Sequence, residues 1–391
     1  MSSKQETSGA QPLEGITVID FTLNGAGPSC SMLLGDFGAN VIKIEPPSGD
    51  STRYWGATRL GEKGDMTPTY LSLNRNKWGI ALDMKSAEGR QTALDLIAKA
   101  DVVIESFSPG VAARLGIGYD DVSKLKPDII YCSLSGFGQT GPLTARPGFD
   151  MLLQAYSGHM SLTGEPGRLS VRNGPSSIDY LTGAHAAFGI MVALRHRDRT
   201  GVGQAVDVSL FDTSIYLVSN HLTDYNATGR IPGKMGSDFA LLAPYGIFQA
   251  KDREFYIGVS SDTMWQKFCE AMERPDLAAE ERYKSNAGRL KNRESMQATL
   301  RPIFAGHDAQ YWVDMAIRLG IPTTLVRNLA EVSTDEQAEA RGLFIETGVK
   351  GVRTVGTPLK LSVTPGTVRK HSPSLDEDRA VVLGRLAAND G

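Results

Sequence analysis

The chain has 391 residues, of which 41 are basic and 44 acidic, so its formal net charge is −3. A chain of this length exceeds the size at which one hydrophobic core stops growing, and two domains are therefore expected. The interspersed charges form no basic stripe for nucleic acid and no polybasic anchor for a membrane, so neither partner is expected. The three cysteines and six histidines show no ligand spacing, and no metal site is expected.

The segment before residue 16 is polar and lacks the apolar core of a secretory signal peptide. No run of eighteen apolar residues follows it, and the three cysteines lie far apart, as is typical of a reducing compartment. These features predict a cytoplasmic protein whose partners are small molecules.

Strand and helix signals alternate after this segment. Strands are predicted over 16–21, 41–45, 101–105, 129–134 and 205–210, and helices over 29–38 and 86–100. Alternation of this kind is typical of a parallel sheet with helices on both faces. We therefore predict an α/β fold with a doubly wound, Rossmann-like parallel sheet.

The turn after the first strand is similar to a dinucleotide-binding fingerprint. Gly25-Ala-Gly27 opens a predicted helix, and Glu45 ends the next strand. Cys30 replaces the third glycine, however, and Pro28 stands where amides should face a phosphate. A dinucleotide-binding or non-catalytic protein is therefore one alternative, while a helix N-terminus here can also receive another phosphate or carboxylate.

A single carboxylate, Asp179, follows the Gly174-Pro175 turn and directly precedes a helix of small apolar residues. Working groups are often held where a loop meets a helix, so a catalytic carboxylate is one interpretation. The other is a helix N-cap that accepts amide hydrogen bonds, which is the commoner use of an aspartate in such a place. The local sequence alone favours the cap.

Basic residues near the predicted turns are candidates for contact with a phosphate group. They are Lys43, Arg53, Lys77, Lys85, Arg114 and Arg199. The chain contains neither a P-loop nor the elbow motif of serine hydrolases, so neither ATP-driven nor serine-hydrolase chemistry is indicated.

The regular pattern breaks between residues 226 and 238, where glycine, proline and polar residues predominate. Beyond the break, a hairpin pattern and several charged helices indicate a smaller α+β domain. We predict that 1–225 form the N-terminal part of a large α/β domain, 226–325 the small domain, and 326–391 a C-terminal segment that returns to the large domain.

An ordered series of motifs resembles the class III coenzyme A transferases over nearly the whole chain. This family includes formyl-CoA transferase and carnitine CoA-transferase and is related to the α-methylacyl-CoA racemases. The motifs lie at 13–21, 26–28, 34–45, 49–50, 76–77, 82–85, 105–107, 109–110, 148–150 and 200–207. Each motif is short, and their order along the chain makes the resemblance specific.

The resemblance implies a reaction and a nucleophile. CoA would move from an acyl-CoA donor to a carboxylic acid acceptor through an aspartyl-acyl anhydride and an aspartyl-CoA thioester, and Asp179 matches the nucleophile's position. Coenzyme A is then carried by a substrate, and no permanently bound cofactor is expected. The resemblance also implies a homodimer of interlocked subunits.

Contacts to CoA are likewise implied by the resemblance. They fall on Asn24, Gly25, Ala26, Leu82, Lys85, Phe107, Arg114, Leu115 and Phe137. For the acceptor carboxylate, Arg172, which closely precedes Asp179, and His159 are the candidates among the basic residues.

An acyl-CoA isomerase of the α-methylacyl-CoA racemase type is the alternative function. Those relatives use a histidine directly before the aspartate of the Gly148-Phe149-Asp150 segment, where this chain has phenylalanine. A phenyl ring cannot remove a proton from an α-carbon, so the residues favour the transferase. Asp150 is then expected to cap the helix that follows it.

Overall fold

The computed structural model describes residues 10–388, which divide into two compact units. The first unit contains 10–159, 172–227 and 337–388, and the second contains 160–171 and 228–336. The units therefore begin and end at other residues than the predicted domains. Residues 160–171 belong to the second unit because this segment is bonded there: Gly236 N–H donates to the Gly164 carbonyl at 2.9 Å.

Strands and helices follow one another in chain order as predicted for an α/β chain. Through residue 228 they are β1 Thr17–Asp20, α1 Ala26–Asp36, β2 Asn40–Glu45, α2 Pro68–Leu73, β3 Lys77–Ala81, α3 Ala87–Ala98, β4 Val102–Glu105, α4 Val111–Arg114, α5 Tyr119–Leu125, β5 Ile130–Ser135, α6 Asp150–Tyr156, α7 His159–Leu162, α8 Ser177–Thr200, β6 Gln204–Ser209, α9 Leu210–Leu217 and α10 Ser219–Thr228. Beyond it they are β7 Tyr245–Gln249, β8 Glu254–Gly258, α11 Asp262–Ala271, α12 Pro275–Ala279, α13 Asn286–Lys291, α14 Arg293–Phe304, α15 Ala309–Arg318, β9 Thr323–Leu325, α16 Leu329–Val332, α17 Glu336–Ala340, β10 Phe344–Glu346, β11 Arg353–Val355 and α18 Arg379–Ala388.

The first unit is built on a six-stranded sheet in the order β3-β2-β1-β4-β5-β6, and every neighbouring pair is parallel. The predicted doubly wound parallel sheet is thereby confirmed. In this order the chain turns to opposite sides of the sheet after β1 and after β4. The loops that follow these two strands therefore diverge, and a crevice opens between them at the carboxyl edge.

Both faces of the sheet are buried, because successive side chains of a strand point to opposite sides. Val18 of β1 packs with α1 and α8 on one face, in a cluster that includes Leu34 and Ile190. Its neighbour Ile19 packs on the other face with α3, α5 and α18, where Leu96 and Val382 are buried.

Helix α8 has 24 residues and lies against α1. A side chain on Gly183 would meet Ser29 Oγ at 2.0 Å and the Ala26 carbonyl at 2.5 Å, so only glycine allows this approach. The first turns of α1 and α8 are thereby brought together. By length and composition α8 could cross a membrane, but its buried face belongs to the core of the first unit, and core helices satisfy the same criterion.

The second unit contains a three-stranded antiparallel sheet in the order β7-β8-β9. Helices α11 to α15 surround it, and its core is rich in aromatic side chains such as Phe255, Trp265, Phe304 and Trp312. These rings meet mainly edge to face, which is a preferred geometry of aromatic pairs.

The C-terminal residues 337–388 pack on the first unit. Asp378 Oδ2 accepts a hydrogen bond from Gly79 N–H of β3 at 2.8 Å, and the Pro373 carbonyl accepts one from the buried Arg53 at 3.1 Å. The large unit is thus assembled from both ends of the chain.

Candidate active site

A cleft of about 450 Å³ opens at the carboxyl edge of the parallel sheet. It is lined by residues 23–27 after β1, 106–109 after β4, 134–136 at the end of β5 and 144–151 before and within α6. Arg172, Ser176 and Asp179 line it as well. The cleft therefore occupies the crevice that the strand order creates, which is the usual ligand site of such sheets.

Asp179 is the third residue of α8 and lies directly against the loop after β1. A Cβ atom on Gly25 would be 2.5 Å from Asp179 Oδ2 and 2.9 Å from its Cγ. Non-bonded contacts of a Cβ atom are essentially never shorter than 3.0 Å. The absence of a side chain at Gly25 is therefore what leaves room for the carboxylate in the cleft.

Asp179 is not the N-cap of α8, so the cap interpretation is wrong. The N-cap residue is Ser176, and within residues 10–388 the Asp179 carboxylate has no hydrogen-bond partner. Asp150 supplies the cap from another segment: its Oδ2 accepts from Ile178 N–H at 2.9 Å and from Asp179 N–H at 3.2 Å. Asp150 had been expected to cap α6, the helix that follows it, but it is the first residue of that helix and caps α8 instead.

The protonation of Asp179 reflects this arrangement. Burial, and to a smaller extent the charge of Asp150, together raise the pKa of its carboxyl from 3.8 to about 6. The Ile178 and Asp179 amides at this helix end donate to Asp150, and among the described residues no hydrogen bond to the Asp179 carboxylate offsets these two effects. The outcome is a carboxylate that is still mainly ionised at pH 7 and more basic than an exposed aspartate.

We expect a pH dependence from this raised pKa. An activity that needs ionised Asp179 should rise with pH around 6, and Asp150→Asn should move the rise toward lower pH because it removes a like charge while an oxygen remains to accept the amide hydrogen bonds. Since the folded pKa exceeds the unfolded one, ionisation should lower stability as pH rises from about 4 to about 6.

The measurement is kcat against pH for wild type, Asp150→Asn and the control Asp198→Asn. Asp198 is an exposed carboxylate near the other end of α8. If kcat rises over the same pH range in the wild type and in Asp150→Asn, the charge of Asp150 does not raise the pKa of Asp179.

The predicted CoA-contacting residues follow the carboxyl ends of different strands. Asn24, Gly25, Ala26 and Phe107 line the cleft, after β1 and β4. Leu82 and Lys85 follow β3, where Leu82 lines a second cavity of about 490 Å³. Arg114 and Leu115 lie at the end of α4, and Phe137 is buried in a small core with Leu153, Ile178 and Leu210.

The loop after β1 is held by buried polar contacts. Asn24 has a φ of 70° and donates its N–H to Asp50 Oδ1 at 3.3 Å. Lys43 Nζ donates to Asp50 at 3.0 Å and to the Thr22 carbonyl at 2.8 Å. The Leu23 N–H donates to Ser106 Oγ at 3.2 Å, which ties this loop to the one after β4.

Three of the basic residues considered for phosphate contact are fully buried in ion pairs. Lys43 pairs with Asp50, Arg53 with Glu45 at 2.7 Å, and Lys77 with Asp20 at 3.3 Å. A buried charge needs its partner. If one of these basic side chains turned to a ligand instead, it would leave a buried carboxylate unpaired. Glu45 is the acidic residue that would bind a ribose in a dinucleotide-binding fingerprint. Because it is paired with Arg53, it is not available for that contact.

The two candidates for the acceptor carboxylate are placed differently. Arg172 lines the cleft and donates to the carbonyls of Asn173 and Gly174, at 3.3 and 2.8 Å. His159 is not among the residues that line the cleft. Sequence reasoning missed Arg146, which does line it and whose only signal was its position just before Gly148-Phe-Asp150.

Comparison with known proteins gives consistent matches. The model of CoA-transferase family III matches residues 13–379. Acetyl-CoA:oxalate CoA-transferase of Acetobacter aceti is 37% identical over 380 residues, 96% of each chain. Succinyl-CoA:mesaconate CoA-transferase of Haloarcula hispanica is 34% identical over 388 residues, 97% of each chain. The crystal structure of a CaiB/BaiF family protein from Brucella suis superposes with a TM-score of 0.91 at 34% identity, over 97% of this chain and 100% of that one.

Proposed function

The chain belongs to CoA-transferase family III, and from that membership we propose that Asp179 is the nucleophile through which it transfers CoA. The supporting observation is the placement of Asp179: its carboxylate, which has no hydrogen-bond partner among residues 10–388, lines the cleft at the topological switch point, directly against Gly25. A protein carboxylate in such a position can retain the energy of a thioester while the two acids exchange, so no ATP is needed.

The proposed reaction has four steps. A carboxylate oxygen of Asp179 attacks the donor's thioester carbonyl, and the carbon–sulfur bond breaks to give an aspartyl-acyl anhydride and CoA thiolate. The thiolate then attacks the aspartyl carbonyl, which releases the donor acid and leaves an aspartyl-CoA thioester. The acceptor carboxylate attacks this thioester, and its carbon–sulfur bond breaks to give a second anhydride and CoA thiolate. The thiolate attacks the acceptor's carbonyl in this anhydride, which gives the new acyl-CoA and releases the Asp179 carboxylate.

Each attack places negative charge on a carbonyl oxygen. Helix α1 begins at Ala26 without a side-chain cap, and Ala26 and Gly27 both line the cleft. First-turn amides have no partner within their own helix and can donate to an oxyanion. We propose that these two amides stabilise the tetrahedral intermediates at Asp179.

We further propose that the acceptor is a dicarboxylic acid. Two of the similar proteins are named for oxalate and mesaconate, which both carry two carboxylates. Among the described residues, the cationic side chains that line the cleft are Arg146 and Arg172, so a second carboxylate would find a counter-charge there.

The experiment is a panel of acetyl-CoA and succinyl-CoA against oxalic, succinic and mesaconic acids, with products identified by mass spectrometry. We expect a new acyl-CoA that depends on the added acid and not on ATP. Exchange of the α-proton in deuterated water without any second acid would instead favour the isomerase alternative, for which Phe149, exposed in the cleft, offers no base. Absence of acid-dependent products with every pair contradicts the proposal.

The homodimer is also a proposal. Large apolar side chains stand on the outer surface of α8 and on α9: Phe188, Val192 and Tyr216 are 70, 53 and 65% exposed. Contiguous exposed apolar surface of this kind is typical of an interface between subunits. Light scattering should give the mass of a dimer, and the mass of one 42.1 kDa chain contradicts it.

A further inference from the structure

Arg146 is held by aromatic rings at the edge of the cleft. Its guanidinium carbon lies 5.6 Å from the ring centroid of Phe137 and 5.2 Å from that of Tyr156. These two rings and Phe211 pack against one another with centroids 5.4 to 5.9 Å apart. Cation–π contact fixes the plane of the guanidinium and leaves its N–H groups available.

The charge of Arg146 is not neutralised within the described chain. Between residues 10 and 388, no carboxylate forms an ion pair with it and no hydrogen bond occupies its guanidinium. The buried arginines of this unit differ, since Arg53 and Arg75 each bind a carboxylate at 2.6 to 2.8 Å. Arg146 is therefore a preoriented cation with its donors free.

The aromatic rings that contact Arg146 and the first turn of α8 belong to one small hydrophobic core. Phe137 packs in this core with Ile178, which directly precedes Asp179, and with Leu153 and Leu210. Arg146 and Asp179 also line the same cleft. The cation and the proposed nucleophile are consequently fixed to a common support.

Arg146 and the CoA contacts expected after β3 follow strands that lie far apart in the sheet. Arg146 lies in the segment that follows β5, and Leu82 and Lys85 follow β3, which is four strand intervals away. At the usual strand spacing this is about 19 Å. Arg146 is therefore better placed for the acid that reacts at Asp179 than for a phosphate near Lys85.

We propose that Arg146 binds the carboxylate of the dicarboxylic acid that does not react, and so makes the enzyme select dicarboxylic over monocarboxylic acids. The guanidinium fork matches a carboxylate in two parallel hydrogen bonds. Arg172 is the less suited cation, because its guanidinium already donates to two carbonyls of its own loop. The proposal rests on the proposed CoA-transferase function with a dicarboxylic acceptor.

The test compares Arg146→Gln and Arg172→Gln with the wild type, and Arg318→Gln, an exposed position in the second unit, serves as the control. Each is assayed with the preferred acid among oxalic, succinic and mesaconic acids and with the monocarboxylic acid of equal chain length. In Arg146→Gln we expect KM for the dicarboxylic acid to rise about 10- to 100-fold, the usual effect of losing a charged hydrogen-bonded pair. With acetyl-CoA as the donor, whose acyl group carries no second carboxylate, KM for the donor and the kinetics with the monocarboxylic acid should not change.

Three results overturn the assignment: an unchanged KM for the dicarboxylic acid in Arg146→Gln, an increase confined to Arg172→Gln, or a raised KM for acetyl-CoA with both acids, which would place a CoA phosphate at Arg146. Calorimetric titration of the dicarboxylic acid in the presence of CoA gives a readout without turnover, and the same 10- to 100-fold loss of affinity is expected there. If that loss is found while no variant or wild type transfers CoA, the subsite stands and the proposed function fails.

Discussion

Asp179→Ala and Asp179→Asn should both abolish CoA transfer, with kcat lowered about 10⁴-fold or more, the order seen when a covalent nucleophile is removed. Neither side chain can form an anhydride, and asparagine differs from aspartate by little more than its charge. Hydroxylamine added with an acyl-CoA should attack the activated carbonyl of Asp179, release the donor acid or CoA and leave an aspartyl hydroxamate in the wild type, and should modify neither variant at this position. Retention of full activity or of trapping in Asp179→Ala would refute the assignment.

Unfolding should not explain this loss, because Asp179→Asn should be more stable than the wild type. Folding raises the pKa of Asp179 from 3.8 to about 6, so at pH 7 the ionised form opposes folding by roughly 2–3 kcal/mol. Neutral asparagine removes this cost. Thermal unfolding at pH 7 and at pH 4 tests the point: the gain should be present at pH 7 and largely absent at pH 4.

Gly25→Ala should lower kcat about 100-fold while the protein remains folded, since a displacement of about 1 Å in a reacting group can have that effect. The new methyl group would stand 2.5 Å from Asp179 Oδ2, which is the free end of a side chain and can rotate away. The backbone of Gly25 has a negative φ of −106° and so does not require the left-handed conformation that favours glycine. The variant thus displaces the nucleophile and little else.

Gly174→Ala is the matched control for Gly25→Ala. Gly174 lies in the loop before α8, and a Cβ there would meet nothing within 4 Å. We expect wild-type kcat and an unchanged melting temperature in this control. Wild-type kcat in Gly25→Ala would mean that the observed contact with Asp179 is irrelevant to the reaction.

Local sequence patterns were sufficient to predict the strands of the sheet but not the roles of the charged residues. The strands around Val18, Val41 and Ile130 were found because each contains a short run of β-branched or other apolar residues, as burial in the core requires. The basic residues near turns gave no comparable signal. Lys43 and Lys77 were candidates for phosphate contact, yet each forms a buried ion pair. Lys43 pairs with Asp50, which follows in the next turn, and Lys77 pairs with Asp20, which is distant in sequence.

The sequence by itself determined the parallel α/β fold, the family and the place of Asp179 near the start of a helix. Apolar periodicity and the order of motifs are local properties of the chain and need no knowledge of its tertiary contacts. Only the tertiary structure decided what surrounds that carboxylate. Asp150, 29 residues earlier, caps α8 in its place; Gly25, 154 residues earlier, makes room for it; and Arg146 enters the cleft. The physical reason is that capping, desolvation and steric space depend on groups that meet across the fold. A carboxylate beside a helix end was evident from the residues, whereas its burial next to Asp150, and hence its raised pKa, was not.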